Sequence, residues 1–182
     1  MAKTPFLTLV VFIIGFGAGY FYYDDHLPKV FSSDSETPTL NVCFSPEGHC
    51  EKLALHVIQS AQKEILMQCY SFTSKPIADA LIKAFQHGIH VRILFDKSQL
   101  TAPYSQIHRL KKYGIDVQLD SPQGLAHNKI IIVDSRKLIS GSYNFSRSAH
   151  TRNAENMIFI QDKSFATIYK NKWHKRFQQN KK

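Results

Sequence analysis

The sequence predicts an α/β fold: a mixed β-sheet flanked by helices on both faces, preceded by an N-terminal hydrophobic helix. Three observations carry this reading. Strand-like and helix-like apolar patterns alternate from residue 40 onward, which implies a sheet with helices packed on its faces. Two short apolar runs are joined by Asp134-Ser135-Arg136-Lys137, a hairpin turn by composition, so one part of the sheet is antiparallel. The run 6–23 (FLTLVVFIIGFGAGYFYY) is apolar and carries no charge.

That run lies near the lower limit for a spanning helix, about 17–25 residues. Two readings of residues 1–23 stand side by side. As a transmembrane anchor, the run ends in Tyr20-Phe21-Tyr22-Tyr23, an interfacial aromatic belt. As a signal peptide, it offers Gly17-Ala18-Gly19 for cleavage after an apolar core at 6–16. Gly15 and Gly19 also form a GxxxG pair, a pattern that packs helices in lipid. Lys3 precedes the run, which places the rest of the chain outside the cytoplasm in either case. A periplasmic or secreted domain is the expectation, anchored to the inner membrane if the run is retained.

Residues 24–39 are polar, with Ser32-Ser33-Asp34-Ser35-Glu36 and prolines at 28 and 38, and read as a linker. The folded domain spans 40–178, with a basic tail at 179–182. A strand at 40–44 leads to a helix at 51–62, where Leu53, Val57, Ile58 and Ala61 recur at helical spacing. A strand at 65–72 precedes a helix at 76–87, with Pro76 near its start and Gly88 past its end. Ile89, Val91, Ile93 and Phe95 alternate along the next strand. A helix at 105–113 stops at Gly114, and a strand follows at 115–119. The hairpin strands occupy 130–133 and 138–140. The last strand is at 157–160. The last helix, at 163–178, has Ile168, Tyr169, Trp173 and Phe177 as its apolar face.

Composition is that of a globular protein, with 43% hydrophobic and 20% charged residues, which excludes disordered and collagen-like chains. The formal charge of +9 favours polyanionic partners such as nucleic acid or anionic lipid. Disulfides persist outside the cytoplasm. Cys43 and Cys50 flank the turn-forming Ser45-Pro46-Glu47-Gly48 and are read as a disulfide, with Cys69 free and buried. The rival is a zinc site of Cys43, His49, Cys50 and a fourth ligand. Zinc ligands usually come as two separated pairs, and only one cluster is present.

The chemistry is concentrated in 126–156, AHNKIIIVDSRKLISGSYNFSRSAHTRNAEN. His127 and Lys129 lie two apart at the head of a strand, so their side chains share a face. Ser142 and Asn144 follow the hairpin, and Glu155 opens the next strand. A neutral histidine attacks phosphorus, while an ammonium and an amide hold the non-bridging oxygens as charge develops. A carboxylate fixes the imidazole tautomer. No metal-binding carboxylate cluster accompanies the motif, so no metal or other cofactor is expected. Asp134 is seven residues from His127, an odd separation that points it to the opposite face, and is read as structural.

His127-x-Lys129-x4-Asp134 followed by Gly141-Ser142-x-Asn144 resembles the HKD motif of the phospholipase D superfamily. Cys43-Phe44-Ser45-Pro46-Glu47-Gly48 and Tyr70-Ser71-Phe72-Thr73 resemble the small bacterial Nuc-type endonucleases of that superfamily. The mitochondrial cardiolipin hydrolase and Zucchini nucleases are more distantly similar. The resemblance implies an α-β-α sandwich and a two-step reaction: one histidine forms a phosphohistidine, and a second, from another HKD motif, protonates the leaving oxygen and then activates water. This chain carries one such motif, so the resemblance implies a homodimer with an isologous, shared site. It also implies that Lys129 and Asn144 bind phosphate, that Ser142 supports the site and that Glu155 orients His127, with Gly141, like Asp134, structural in the motif.

Seven basic residues and no acid lie between Lys163 and Lys182, a source of salt-dependent, sequence-independent affinity for phosphate backbones. Lys172, Lys175 and Arg176 from this stretch, with Arg147 and Arg152 beside the motif, are candidate substrate contacts. His150 is read as solvated. The expected activity is a metal-independent endonuclease acting on DNA or RNA. The alternatives are a phospholipase D or cardiolipin hydrolase acting on anionic phospholipid, and a catalytically silent nucleic-acid-binding protein.

Overall fold

The computed structural model describes residues 37–180. The hydrophobic run 6–23, most of the 24–39 linker and the last two residues of the tail lie outside the described residues. Among the described residues, no helix is long and apolar enough to cross a membrane.

Seven strands form one mixed sheet in the order β1-β7-β6-β5-β2-β3-β4. They are β1 (Thr39–Ser45), β2 (Glu64–Cys69), β3 (His90–Asp96), β4 (Asp116–Asp120), β5 (Lys129–Val133), β6 (Lys137–Gly141) and β7 (Glu155–Gln161). Strands β2, β3 and β4 run parallel to one another, and β5, β6, β7 and β1 alternate antiparallel from there to the edge. Among the described residues five helices accompany them: α1 (Cys50–Gln59), α2 (Lys75–Gln86), α3 (Ile107–Lys112), α4 (Arg147–Thr151) and α5 (Lys163–Gln179).

The alternation of side chains along each strand makes two cores. Ile65, Met67, Ile93, Phe95, Ile131 and Ile139 point to one face and pack with Val57, Ile58, Ile77, Leu81 and Leu110 of α1, α2 and α3. Leu66, Leu94, Ile132 and Leu138 point to the other and pack with Ala166, Trp173 and Phe177 of α5. Trp173 is 1% exposed, and its Nε1 donates to Met67 O at 2.9 Å, which satisfies the one polar atom the indole buries. Truncation to alanine there costs about 3–5 kcal/mol. Tyr169 joins this core at its margin, whereas Ile168, expected on the same face, is 41% exposed on the outer side of the helix.

Local chemistry sets the helix starts. Ser74 caps α2 by accepting from Ile77 N, with proline in the first turn, and Asp162 caps α5 by accepting from Phe165 N. Ser146 caps α4 by accepting from Ala149 N. This single-turn helix and the 3-10 turn Lys97–Leu100 occupy stretches whose apolar pattern is too short to announce them. Cys43 and Cys50 are disulfide-bonded, with a Cα–Cα distance of 5.5 Å, so neither thiolate is available to zinc; Cys69 is free and buried. The bridge fastens β1 to the start of α1.

The β5–β6 turn explains the aspartate of the motif. Asp134 and Ser135 have φ of 52° and 55°, the paired positive values of a two-residue type I′ hairpin, and Arg136 N donates to Val133 O at 3.1 Å. The Asp134 carboxylate accepts from three successive backbone N–H groups, of Gln62 (2.9 Å), Lys63 (2.8 Å) and Glu64 (3.0 Å). It thereby fastens the α1–β2 loop to the hairpin.

Candidate active site

Strand direction alone gathers the candidate residues at one end of the sheet. β1, β2, β3, β4 and β6 finish there, while β5 and β7 begin there. His127 and Lys129 stand at the start of β5, Gly141, Ser142 and Asn144 at or just after the end of β6, and Glu155 at the start of β7. Asp134 lies at the opposite end of β5, outside the site.

His127 is exposed, as a nucleophile must be, while Lys129 is 5% exposed. The Lys129 ammonium lies 2.9 Å from His127 Nδ1 and donates to His127 O at 2.7 Å. Burial lowers the Lys129 pKa, against the opposing pull of Glu155 and Cys69. An ammonium has hydrogens to give and no lone pair. Facing an ammonium, His127 Nδ1 can only accept, and a neutral imidazole then carries its ring proton on Nε2. That is the form that gives a proton to a leaving oxygen. Attack through Nε2 requires the opposite tautomer, with Nδ1–H held by an acceptor.

Glu155 does not supply that acceptor within this chain. Its Oε1 accepts from Asn153 Nδ2 at 3.0 Å, and Asn153 O in turn accepts from Ser45 Oγ at 3.0 Å. The carboxylate is thus tied to the end of β1 while its charge acts on Lys129.

The Gly-Ser-Tyr-Asn turn is fastened to β7. Ser142 N and Tyr143 N both donate to Asn156 O at 3.1 Å, and Asn156 N donates to Ser142 Oγ at 3.0 Å. Ser142 therefore braces the turn. Gly141 has φ 148°, and a Cβ there would meet Asn156 O at 2.4 Å, so the approach of the two strands demands glycine. Asn144 Oδ1 and Tyr143 Oη are buried without a hydrogen-bond partner. Burial, and then the charges of Glu51 and Glu155, push the Tyr143 phenol well above its ordinary range.

Two further residues, Tyr70 and Asp96, complete the surroundings of His127. The ring of Tyr70, just past β2, lies 4.5 Å from the His127 imidazole, and Lys129 Nζ is 5.2 Å from the same ring's centroid. Asp96, 0% exposed, accepts from Ala126 N at 2.7 Å and from Ser98 N at 2.9 Å, and so fixes the residue preceding His127 to the loop after β3. Burial alone would raise the Asp96 pKa. The bonds from Ser98 and Ala126 and the charge of Lys97 outweigh it, and the net shift is downward.

The remaining candidates are dispersed. Arg147 opens α4 and Arg152 follows it, both exposed at the site's end of the sheet. His150 lies on α4, partly exposed, 3.8 Å from the Glu51 carboxylate. Lys172 and Lys175 are exposed on α5. Arg176 is committed: its Nε donates to Asp120 Oδ2 at 2.7 Å, and Asp120 is 1% exposed, so this guanidinium braces the fold.

The model of the PLD-like domain described as cardiolipin synthase matches residues 54–177. The chain belongs to the phospholipase D superfamily. A protein named phospholipase D from Rickettsia prowazekii is 41% identical over 144 residues, covering 79% of this chain and 70% of the relative. The human mitochondrial cardiolipin hydrolase is 29% identical over 146 residues, which is 80% of this chain and 58% of that protein. Among solved structures, the phospholipase D family member Nuc from Salmonella typhimurium superposes with a TM-score of 0.75 at 34% identity, covering 80% of this chain and 97% of that one. A phospholipase D-like fold, with hydrolase chemistry at the superfamily level, is thus established by sequence and by architecture together.

Proposed function

We propose that the protein is a metal-independent endonuclease without sequence preference, working as a homodimer outside the cytoplasm. The observation that carries the reading is the pairing of an exposed His127 with a buried Lys129 ammonium at its Nδ1. This chain holds one such histidine, and the reaction calls for two. In the first step, Nε2 of one His127 bonds to phosphorus as the P–O bond to the leaving group breaks, and the partner's His127 gives its Nε2 proton to the departing oxygen. In the second, water attacks the phosphohistidine, its proton returns to the partner's His127, and the P–N bond breaks. Lys129 and the Asn144 amide hold the non-bridging oxygens. The +9 charge, and Arg147, Arg152, Lys172 and Lys175 around the structure, suit a nucleic acid backbone.

A second reading is hydrolysis of anionic phospholipid, and one observation favours it. Leu100 (41% exposed), Tyr104 (87%) and Leu125 (58%) stand on the loops after β3 and before β5, at the site's end of the sheet. Asp96 joins these two loops. An apolar lip of this kind suits contact with a bilayer.

One experiment separates the readings. The full-length protein is incubated in EDTA with plasmid, single-stranded RNA and vesicles containing cardiolipin, beside His127→Ala. Nucleic acid cleavage that persists in EDTA and vanishes in the variant is expected. Lipid turnover without nucleic acid cleavage selects the second reading. Binding of DNA without turnover of any substrate leaves a silent binding protein.

A further inference from the structure

His127 is exposed, and its imidazole has few restraints. Rotation about the last torsion of a histidine is broad and roughly two-fold, so an exposed ring does not by itself aim Nε2 at a phosphorus atom. Among the described residues, the polar and aromatic contacts of this ring are with Lys129 Nζ, at Nδ1, and with the Tyr70 ring. Tyr70 is half-buried one residue beyond the registered pair Cys69–Lys129, so the β2–β5 ladder delivers it to the imidazole. The two rings are inclined by 52° with their centroids 4.5 Å apart, a tilted contact within the favourable range for aromatic pairs. The Lys129 ammonium lies over the same ring, where the π-face attracts a cation.

We infer that Tyr70 is a positioning residue, whose ring sets the rotamer of His127 and the reach of Lys129 before substrate arrives. The aromatic face is the working part, because no hydrogen bond of the phenol is used in either contact. The role is independent of the natural substrate, since it concerns the attacking group and not what flanks the phosphodiester.

The test uses the full-length protein and a small diester, bis(p-nitrophenyl) phosphate, so that its outcome does not depend on whether nucleic acid or lipid is the physiological substrate. Displacing a catalytic group by about an ångström costs up to roughly a hundredfold in rate. Tyr70→Leu is expected to lower kcat by about ten- to a hundredfold with KM unchanged within about twofold, and Tyr70→Phe to retain kcat within about threefold. In proton NMR, the ring protons of His127 are expected to be shifted upfield by the Tyr70 ring current and to return to ordinary values in Tyr70→Leu. A Tyr70→Leu enzyme with unaltered kcat overturns the inference, as does a change confined to KM. Equal losses in the Leu and Phe variants overturn it too, since they would make the hydroxyl the working group. If Tyr70→Leu fails to fold, the wild-type spectrum decides: unshifted His127 ring protons refute the contact.

Discussion

The ammonium of Lys129 sits 2.9 Å from Nδ1 of His127, on the nitrogen that must carry a proton when the other nitrogen attacks phosphorus. A protonated Lys129 in this contact favours the proton-giving tautomer of a neutral His127, and arming the nucleophile then requires Lys129 to leave Nδ1. A phosphate dianion is a far better acceptor for an ammonium than a neutral imidazole. Nitrogen-15 spectra of the free protein are expected to show His127 protonated on Nε2. Inorganic phosphate is expected to draw Lys129 away and shift the proton toward Nδ1. Lys129→Met should lose about 10²–10³-fold in kcat, the usual cost of one transition-state charge donor, and its imidazole should no longer respond to phosphate.

A site shared between two chains has an arithmetic signature. If each turnover uses both His127 side chains, a dimer with one His127→Ala subunit is inactive. Co-refolding wild type with the variant at varied ratios should give activity that falls as the square of the wild-type fraction. A linear fall would mean that each chain works alone. Sedimentation of the active species should report a dimer.

Asp134 predicts a separation of stability from chemistry. Asp134→Ala leaves three N–H groups of the α1–β2 loop without their acceptor and places alanine at φ 52°. A loss of about 2–3 kcal/mol is expected, as for hydrogen bonds to a charged group. Denaturant unfolding measures it, and kcat per folded molecule should stay within about threefold.

Glu64 and Asp96 give the acid limb of stability. For Glu64, burial raises the pKa, but the bonds from Lys170 and Ser135 and the charges of Lys170 and Arg92 outweigh it, and the net shift is downward; Asp96 behaves likewise. A carboxyl with a depressed folded pKa contributes stability that is complete above its unfolded value, about 4. That contribution is lost as pH falls through the folded value. Thermal scans should show a Tm that is flat with respect to these groups above about pH 5 and declines below about 4, with a shallower decline in Glu64→Gln.

The disulfide between Cys43 and Cys50 closes a short loop, for which chain-entropy arguments give about 2–3 kcal/mol. Reduction should lower Tm accordingly. Thiol titration of unreduced, denatured protein should find Cys69 alone.

The fold was readable because each strand carries its own periodicity. Ile131 and Val133 serve one core and Ile132 the other, which a continuous apolar run announces without saying which face is which. The catalytic pair His127–Lys129 was readable because two residues on one strand need no tertiary information to be neighbours. Tyr70 and Asp96 were not, because each meets the site through strand pairing or a buried carboxylate far away in sequence. Arg176 looks like any other cation in a basic run until Asp120, 56 positions away, is seen to hold it. Within one chain the Glu155 carboxylate accepts from Asn153, two residues away, a local contact that no periodicity announces.

Strand β1 begins at Thr39, paired with Gln161, and ends at Ser45 beside Glu155. The start of β1 thus lies about a strand's length, roughly 23 Å, from the pole that holds the catalytic groups. Enzyme immobilised through Thr39, at the start of β1, would present its working pole to the bulk solution. Long, bulky polymers should then be turned over on a solid support nearly as well as in free solution.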